Sequence, residues 1–238
     1  MSESIEGTLV SKNSIVDSFQ RCLVIHGTHN VTVEWNIGYQ NFGHCFFLED
    51  GIEQDNHFNY NLGAAQQITP DEGIISIAES DMFPATFWIS NPKNFYLGNV
   101  AAGGEDNGFW FEMLEILRGP SQKKDPLYQM NPVEFEYGYF KDCVTHSNGG
   151  DGFNLYPNGY FPKERAWFDN LYSYRNVGDG NLMHNSVNLG ILGGYFADNR
   201  RQIEIDKQAD DVVVKDAHNE GFTPLYQLEV EAGKRKSN

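Results

Sequence analysis

The stretch Gly43-His44-Cys45-Phe46-Phe47-Leu48-Glu49-Asp50-Gly51 decides the fold, because a similar pattern recurs along the chain. Successive side chains of a β-strand point to opposite faces, so Phe46 and Leu48 share an apolar face, and Phe47 and Glu49 share the other. Other short alternating runs, broken by Gly, Asn and Asp, follow one another from residue 13 onward. Since no long segment has a 3.6-residue period, the sequence predicts an all-β protein.

A comparison of the chain with itself gives the spacing of these strands. Equivalent positions are Leu23, Phe46, Phe87, Phe109, Phe153 and Leu182, at intervals of 23, 41, 22, 44 and 29 residues. We predict a unit of about 22 to 23 residues, with insertions in the longer intervals. A period of this size without helices is typical of a single-stranded, right-handed parallel β-helix. The overlapping leucine-rich repeat is excluded, because its Leu-rich consensus is absent.

The β-helix is predicted to span residues 13–222, after a lead-in of residues 1–12 and before a C-terminal tail of residues 223–238. Two insertions, residues 63–85 and 113–133, are rich in Pro, Gly and charge, and they are expected to be loops. A second column of strands opens with asparagine, at Asn30, Asn56 and Asn94. Asparagine tolerates a left-handed backbone and can stack its amide on the next coil.

Stacked coils place equivalent side chains in columns. Two columns are predicted to form the core: Leu23, Phe46, Phe87, Phe109, Phe153 and Leu182, and beside them Ile25, Leu48, Ile89, Phe111 and Leu155. Two columns are predicted to face outward: Val24, Phe47, Trp88 and Trp110, and beside them His26, Glu49, Ser90 and Glu112. Aromatic rings beside carboxylates form the kind of surface on which a sugar chain can bind.

The composition restricts the partners. The chain has 17 Lys and Arg against 33 Asp and Glu, which gives a net charge of −16. Because like charges repel, non-specific binding to nucleic acid and to anionic membranes is not expected. No apolar run reaches the roughly 18 residues that a membrane-spanning helix needs. Residues 1–6 carry no secretory signal, which fits either a cytoplasmic protein or a piece of a longer secreted one.

Several blocks of sequence resemble the central β-helix of the cell-surface hyaluronidase family, with fibrocystin-like proteins as more distant relatives. The blocks are Phe19–His29, Gly43–Gln54, Phe87–Pro92, Asn99–Gly103 and Phe196–Asn199, within a resemblance over about residues 13 to 220. The resemblance implies an extracellular or cell-surface location, calcium-dependent cleavage of hyaluronan, and further domains in a longer parent protein. The family carries additional coils upstream of the first block, so the resemblance fixes no catalytic residue here.

The outward aromatic column suggests contacts with a polysaccharide. Phe47, Trp88 and Trp110 are predicted to stack on sugar rings, while Glu112 and Arg21 are predicted to bind its polar groups. An alternative remains open: a loop such as residues 63–85, or another domain, covers these aromatic side chains.

Catalysis and metal binding are assigned to neighbouring acidic residues. Glycoside hydrolysis needs two carboxyl groups about 5 to 10 Å apart, and His26, Glu49 and Asp50 are candidate catalytic residues. Solvated surface acids are the alternative. Calcium takes oxygen ligands from acidic loops, so Asp50, Glu53 and Asp55 are candidate calcium ligands.

Three functions are compatible with this sequence. The first is a hyaluronidase-like glycoside hydrolase, or a fragment of one without a complete active site. The second is a non-catalytic module for carbohydrate binding or cell-surface interaction. The third is a pectin-type enzyme that shares only the fold. Cys22 and Cys45 occupy equivalent positions in adjacent coils, where either a disulfide or a pair of free thiols fits, and Cys143 remains single.

Overall fold

The computed structural model describes residues 7–70, 79–125 and 129–221. These residues form a β-solenoid of about eight turns, in which three sheets of parallel strands run along the three sides. The predicted all-β parallel β-helix is therefore confirmed. The first strand begins at Thr8 and the last ends at Glu220. The predicted tail, residues 223–238, lies outside the described residues.

Each turn contributes one strand to each sheet. The first sheet, in order, contains β1 (Thr8–Ser11), β4 (Val31–Glu34), β7 (His57–Asn59), β10 (Phe95–Leu97), β13 (Tyr139–Lys141), β16 (Ala166–Asp169), β19 (Val187–Leu192) and β22 (Asp210–Lys215). The second contains β2 (Ser14–Val16), β5 (Ile37–Tyr39), β8 (Leu62–Ala64), β11 (Val100–Ala102), β14 (Val144–His146), β17 (Tyr172–Tyr174), β20 (Tyr195–Ala197) and β23 (His218–Glu220). The third contains β3 (Leu23–Ile25), β6 (Phe46–Leu48), β9 (Ala85–Ile89), β12 (Asn107–Phe111), β15 (Phe153–Leu155), β18 (Asn181–Met183) and β21 (Glu204–Ile205).

The third sheet has the predicted register except at one strand. Leu23 pairs with Phe46, and Phe87 pairs with both Phe46 and Phe109. The prediction for Leu182 is wrong: Asn181 pairs with Phe153, and Leu182 pairs with the outward Asn154. The coil between these strands is one residue shorter than the alignment assumed, and a shift of one residue reverses the face of every side chain.

Aromatic side chains fill the interior in continuous stacks. The ring centroids of Phe46 and Phe87 are 4.7 Å apart, and those of Phe87 and Phe109 are also 4.7 Å apart. Phe140 of the first sheet packs edge-on against Phe109, with centroids 5.0 Å apart. The coil spacing of about 4.8 Å allows ring-on-ring contact between turns, so the rings of successive coils pack directly on one another.

Asparagine ladders close the corners between the strands. Asn56 donates its side-chain N–H to Asn94 Oδ1, as the predicted amide stacking requires, with a nitrogen–oxygen distance of 3.0 Å. Asn30 lies outside this ladder and adopts the left-handed backbone instead, with φ 57°. A further ladder runs from Asn61 to Asn99 at another corner. Each side chain joins two turns and satisfies backbone groups that would otherwise be buried without partners.

The predicted insertions are the segments that leave the coil. The first, between β8 and β9, contains a 3₁₀ helix at Glu79–Met82. The second, between β12 and β13, contains the short helix α1 (Gly119–Gln122) and a 3₁₀ helix at Pro132–Glu134. No helix in the described ranges is long and apolar enough to cross a membrane.

A disulfide joins the first two described coils of the third sheet. Cys22 and Cys45 are bonded, with Cα atoms 4.5 Å apart, which decides between the two alternatives that the sequence left open. A Cβ atom at Gly38 would lie 2.2 Å from Cys45 Sγ, so glycine is the residue that makes room for this bond. Cys143 is free and buried, and burial raises the pKa of its thiol to about 12.

Candidate functional site

The outward aromatic column of the third sheet exists, but its first half is covered. Val24 pairs with Phe47, which pairs with Trp88, and Trp88 pairs with Trp110. Only 7% of Phe47 and 2% of Trp88 are exposed. Phe47 and Trp88, which the sequence predicts to bind a polysaccharide, are therefore buried, and their ring faces are not open to a sugar.

The cover consists of polar side chains packed on the aromatic faces. The His44 ring lies 4.2 Å from Trp88 and 5.4 Å from Phe47, between ring centroids. The Arg21 guanidinium lies over Phe47, 4.3 Å from its ring centroid, and forms an ion pair of 2.5 Å with the buried Asp81. Arg21, predicted to bind substrate, holds the first insertion against the sheet instead.

The predicted catalytic residues come together. His26 Nδ1 lies 3.3 Å from a Glu49 carboxylate oxygen, and His26 Nε2 lies 3.3 Å from Asp50 Oδ2. These three residues, the imidazole–carboxylate cluster, are the one group of three or more His, Cys, Asp or Glu side chains in the described ranges whose ligand atoms lie within 4.8 Å of one another. His26 is exposed, whereas Asp50 is buried and accepts a hydrogen bond from the Ser121 backbone N–H.

Glu112 belongs to a neighbouring ion pair. Arg118 donates to Glu112 Oε1 at 2.5 Å, and the other oxygen, Oε2, has no hydrogen-bond partner among the described residues. Burial raises the pKa of Glu112, and Arg118 opposes this shift. Only 7% of Glu112 is exposed, so its predicted contact with substrate would require Arg118 to move away.

The predicted calcium ligands are not gathered into a site. Glu53 is buried and accepts hydrogen bonds from the backbone N–H groups of Gly27, Asp50 and Gly51. Burial raises the pKa of Glu53, which makes it a structural acceptor of loop hydrogen bonds. Asp55 faces His29 on the other side of the turn. Calcium takes six to eight oxygen ligands, and the described residues Asp50, Glu53 and Asp55 do not converge to supply them.

A groove further along the third sheet remains open. It has a volume of about 540 Å³ and is lined by aromatic, acidic and amide side chains. We call it the acidic groove, defined by Phe83, Asp106, Trp110, Asp151, Asn154 and Tyr156. Phe83 is 56% exposed and Tyr156 46% exposed, and the Trp110 indole N–H donates to the Tyr156 carbonyl oxygen. Trp110 is half-buried and lines this groove, so it is the predicted aromatic contact that is least covered.

The floor of the acidic groove carries a buried amide. Asn154 is 7% exposed, and its Nδ2 donates to Asn107 Oδ1 at 3.4 Å. Its Oδ1 has no hydrogen-bond partner among the described residues. A buried amide oxygen without a partner costs free energy unless a ligand or water donates to it.

The two acids of the groove differ in their environments. Burial, followed by the charge of Asp151, raises the pKa of Asp106 to about 6. Burial also raises the pKa of Asp151, but the Asp179 backbone N–H and the nearby Arg200 and Arg201 oppose that shift. The arrangement therefore favours a proton on Asp106 over one on Asp151.

Sequence reasoning missed these acids because it concentrated on the strands. The available signal was a recurring polar–glycine step: Asn107-Gly108 at the start of β12, Asp151-Gly152 directly before β15 and Asp179-Gly180 directly before β18. Asp106 directly precedes the first of these steps. The step places polar side chains of successive coils at the same edge of the third sheet.

Comparison with known proteins identifies the family. The model of a family described as CEMIP beta-helix matches residues 1–153. The chain belongs to the CEMIP beta-helix family. It is 38% identical to mouse fibrocystin-L over 152 residues, 63% of this chain and 3% of that protein.

Two further relatives match more of the chain. It is 32% identical to Communication mutant protein F of Dictyostelium discoideum over 225 residues, 82% of this chain and 20% of that protein. It is 31% identical to human cell surface hyaluronidase CEMIP2 over 208 residues, 73% of this chain and 14% of that protein. The chain thus spans a fifth or less of the length of these family members.

Proposed function

We propose that this CEMIP-type β-helix binds a polysaccharide of the hyaluronan type in the acidic groove. The observation that carries the proposal is one open groove in which the exposed side chains of Tyr156 and Phe83 and the half-buried Trp110 lie beside Asp106 and Asp151. Sugar rings present apolar faces and hydroxyl donors together, so the groove matches both. One relative is named as a cell surface hyaluronidase, which favours hyaluronan.

The charge of the groove is compatible with an anionic chain at one end. The Arg200 side chain is 59% exposed and lines the groove. It shares the buried carboxylate of Asp179 with Arg201, which also pairs with Glu204. The exposed part of the Arg200 guanidinium gives a uronic carboxylate a place to bind, while the neutral form of Asp106 reduces the repulsion.

We also propose that the protein acts outside the cytosol, at the cell surface or after secretion, as a part of a longer protein. The Cys22–Cys45 disulfide supports an oxidising compartment. The short share of each relative that the chain covers supports further domains. Since the candidate calcium ligands do not converge, the proposal includes no calcium-dependent step.

Binding of size-defined hyaluronan oligosaccharides, measured by isothermal titration calorimetry, tests the proposal. Trp110→Ala and Tyr156→Ala should each weaken binding by roughly 3- to 10-fold, the effect of losing one aromatic contact. Trp35→Ala is the matched control, because Trp35 is a tryptophan outside the groove, 54% exposed, that stacks on Tyr60 at a different corner. Wild-type affinity in both groove variants, or no binding by the wild type, would contradict the proposal.

A further inference from the structure

We propose that Asn30 is a glycosylation site and carries an N-linked glycan on its side-chain amide. This inference rests on the proposed location outside the cytosol and adds a covalent modification to it. The glycan is separate from the polysaccharide that the acidic groove is proposed to bind, because it is attached at another part of the solenoid.

The sequence contains a single acceptor for such a glycan. The acceptor pattern is an asparagine followed two positions later by Ser or Thr, with any residue except Pro between them. Asn30-Val31-Thr32 matches this pattern, and no other asparagine of the chain does. Because the pattern is short and also arises by chance, the structural surroundings of Asn30 decide whether it can carry a sugar.

The structure places the Asn30 side chain in solvent. The asparagines Asn56 and Asn94 of the corner ladder are buried, 0% and 1% exposed, whereas Asn30 is exposed. The Asn30 side chain makes no hydrogen bond to any other described residue. A sugar on a ladder asparagine would break the contact between coils, but a sugar on Asn30 displaces only solvent.

The backbone around Asn30 is fixed although its side chain is free. The Asn30 backbone N–H donates to the Gln54 carbonyl oxygen at 3.4 Å, and the Val31 N–H donates to Asn56 Oδ1 at 3.0 Å. Asn30 also has a left-handed backbone with φ 57°, a conformation that asparagine adopts more readily than most residues. The corner therefore presents the amide group outward from a rigid support.

Thr32, the third residue of the acceptor, also lies on the outside of the solenoid. Val31 and Val33 point into the core and are 3% and 0% exposed, so the alternation along β4 turns Thr32 outward. Thr32 is half-buried and pairs with Leu9 of the preceding coil, which is 56% exposed. Both side chains that the modification requires are thus on the outer surface.

The Cys22–Cys45 disulfide supports the oxidising compartment in which this modification takes place. The co-reactant is an oligosaccharide carried on a lipid diphosphate. In the transfer, Asn30 Nδ2 forms a bond to the anomeric carbon of the first sugar and loses one proton. The bond between that carbon and the diphosphate oxygen breaks, and the lipid diphosphate leaves with the electron pair.

The test uses the full chain, secreted from eukaryotic cells behind a cleavable signal peptide and analysed by mass spectrometry. Wild type should carry added mass that peptide N-glycosidase removes, and this treatment should convert Asn30 to aspartate. Thr32→Val should lose the added mass completely, because it removes the hydroxyl group that the acceptor pattern requires. Asn30→Gln should lose it as well. Thr32→Ser is the matched control, since it keeps the hydroxyl group and should retain the glycan.

The state of the cysteines separates the possible failures. An unmodified wild type in which Cys22 and Cys45 are bonded would overturn the glycosylation site and leave the proposed location intact. Added mass that persists in Thr32→Val would overturn the site as well. An unmodified chain with both cysteines reduced would contradict the proposed location together with the glycan.

The position of the glycan predicts its effect on binding. Asn30 directly precedes β4 of the first sheet, whereas the acidic groove lies along the third sheet several coils away. Glycosylated and enzyme-treated protein should therefore bind hyaluronan oligosaccharides with equal affinity in isothermal titration calorimetry. A lower affinity of the glycosylated form would contradict the placement of the glycan away from the groove. Absence of binding by both forms would instead contradict the proposed function.

Discussion

His44 illustrates how one residue supports the covered half of the third sheet. Its Nδ1 accepts the Ala85 backbone N–H at 2.9 Å, and its Nε2 lies 3.2 Å from the Ser80 hydroxyl. The ring also packs on Trp88. Burial, followed by the charge of Arg21, lowers the pKa of His44 well below its usual value. The folded protein therefore contains the neutral imidazole, with the proton on Nε2.

We expect His44 to make the fold sensitive to acid. Below the unfolded pKa of about 6.5, the unfolded chain binds a proton that the folded chain excludes, so stability falls as pH decreases. The loss should be about 1.4 kcal/mol for each pH unit below that value. Chemical denaturation of wild type and His44→Gln between pH 7.5 and pH 5 checks this: the difference in free energy of unfolding between them should shrink as pH falls.

The control for this measurement is His218→Gln, because the His218 side chain is 65% exposed at the last described strand. Its stability should follow the wild-type pH dependence. A constant difference between wild type and His44→Gln across the pH range would show that His44 excludes no proton on folding.

At the scale of structural elements, the corner ladders hold the turns in register. Asn61 donates to the Val33 carbonyl oxygen and to Asn99 Oδ1, and its own Oδ1 accepts from the backbone N–H of Asn36. One side chain thus serves groups of three successive coils. Strand pairs of three or four residues supply few hydrogen bonds, so these amides complete the connection between turns.

Removing one member from the middle of this ladder should be costly. Asn61→Ala leaves buried groups of Asn36, Val33 and Asn99 without their partner, and we expect a loss of about 2 to 4 kcal/mol in free energy of unfolding. Asn13→Ala is the matched control, because Asn13 ends the same ladder and is exposed. Urea denaturation measures both. Equal losses in the two variants would contradict a role that depends on burial within the ladder.

At the scale of the whole molecule, the protein is a stack in which each turn contacts mainly its neighbours. The disulfide between Cys22 and Cys45 joins turns near the N-terminal end, where Leu23 is only partly buried. The aromatic core continues from there to Phe196. Stability in such a stack is the sum of the turns and of the contacts between neighbours.

Loss of the disulfide should therefore loosen one end of the molecule. The double variant Cys22→Ser, Cys45→Ser should lose about 2 to 4 kcal/mol of stability. Hydrogen exchange should accelerate mainly in β1 to β6 and little in β19 to β23, because coupling between distant turns is weak. Reduced wild type should show the same pattern. Uniform acceleration along the chain would contradict this view of the solenoid.

The sequence by itself determined the repeating architecture. The alternation around Phe46 and Leu48 sets the buried face of each strand locally, and the regular interval sets the parallel stacking. The lengths of the coils vary, and this limited the prediction of strand register. The coil before β18 is one residue shorter than the alignment assumed, so Leu182 lies on the opposite face of the strand from the core column. The contact between His26 and Glu49 was also predictable, since both residues follow paired strands in adjacent coils.

Only the tertiary structure decided which part of the outward surface is accessible. His44 covers Trp88 and Arg21 covers Phe47, and Arg21 is paired with Asp81 of the first insertion. Strand periodicity does not predict where that insertion packs. The acidic groove likewise forms where Asp106 and Asp151, far apart in sequence, meet over glycines of the next coil. Local alternation decides which side chains of a strand face outward. Whether that outward surface is open or covered depends on where the inserted segments pack, and contacts between residues distant in sequence determine this packing.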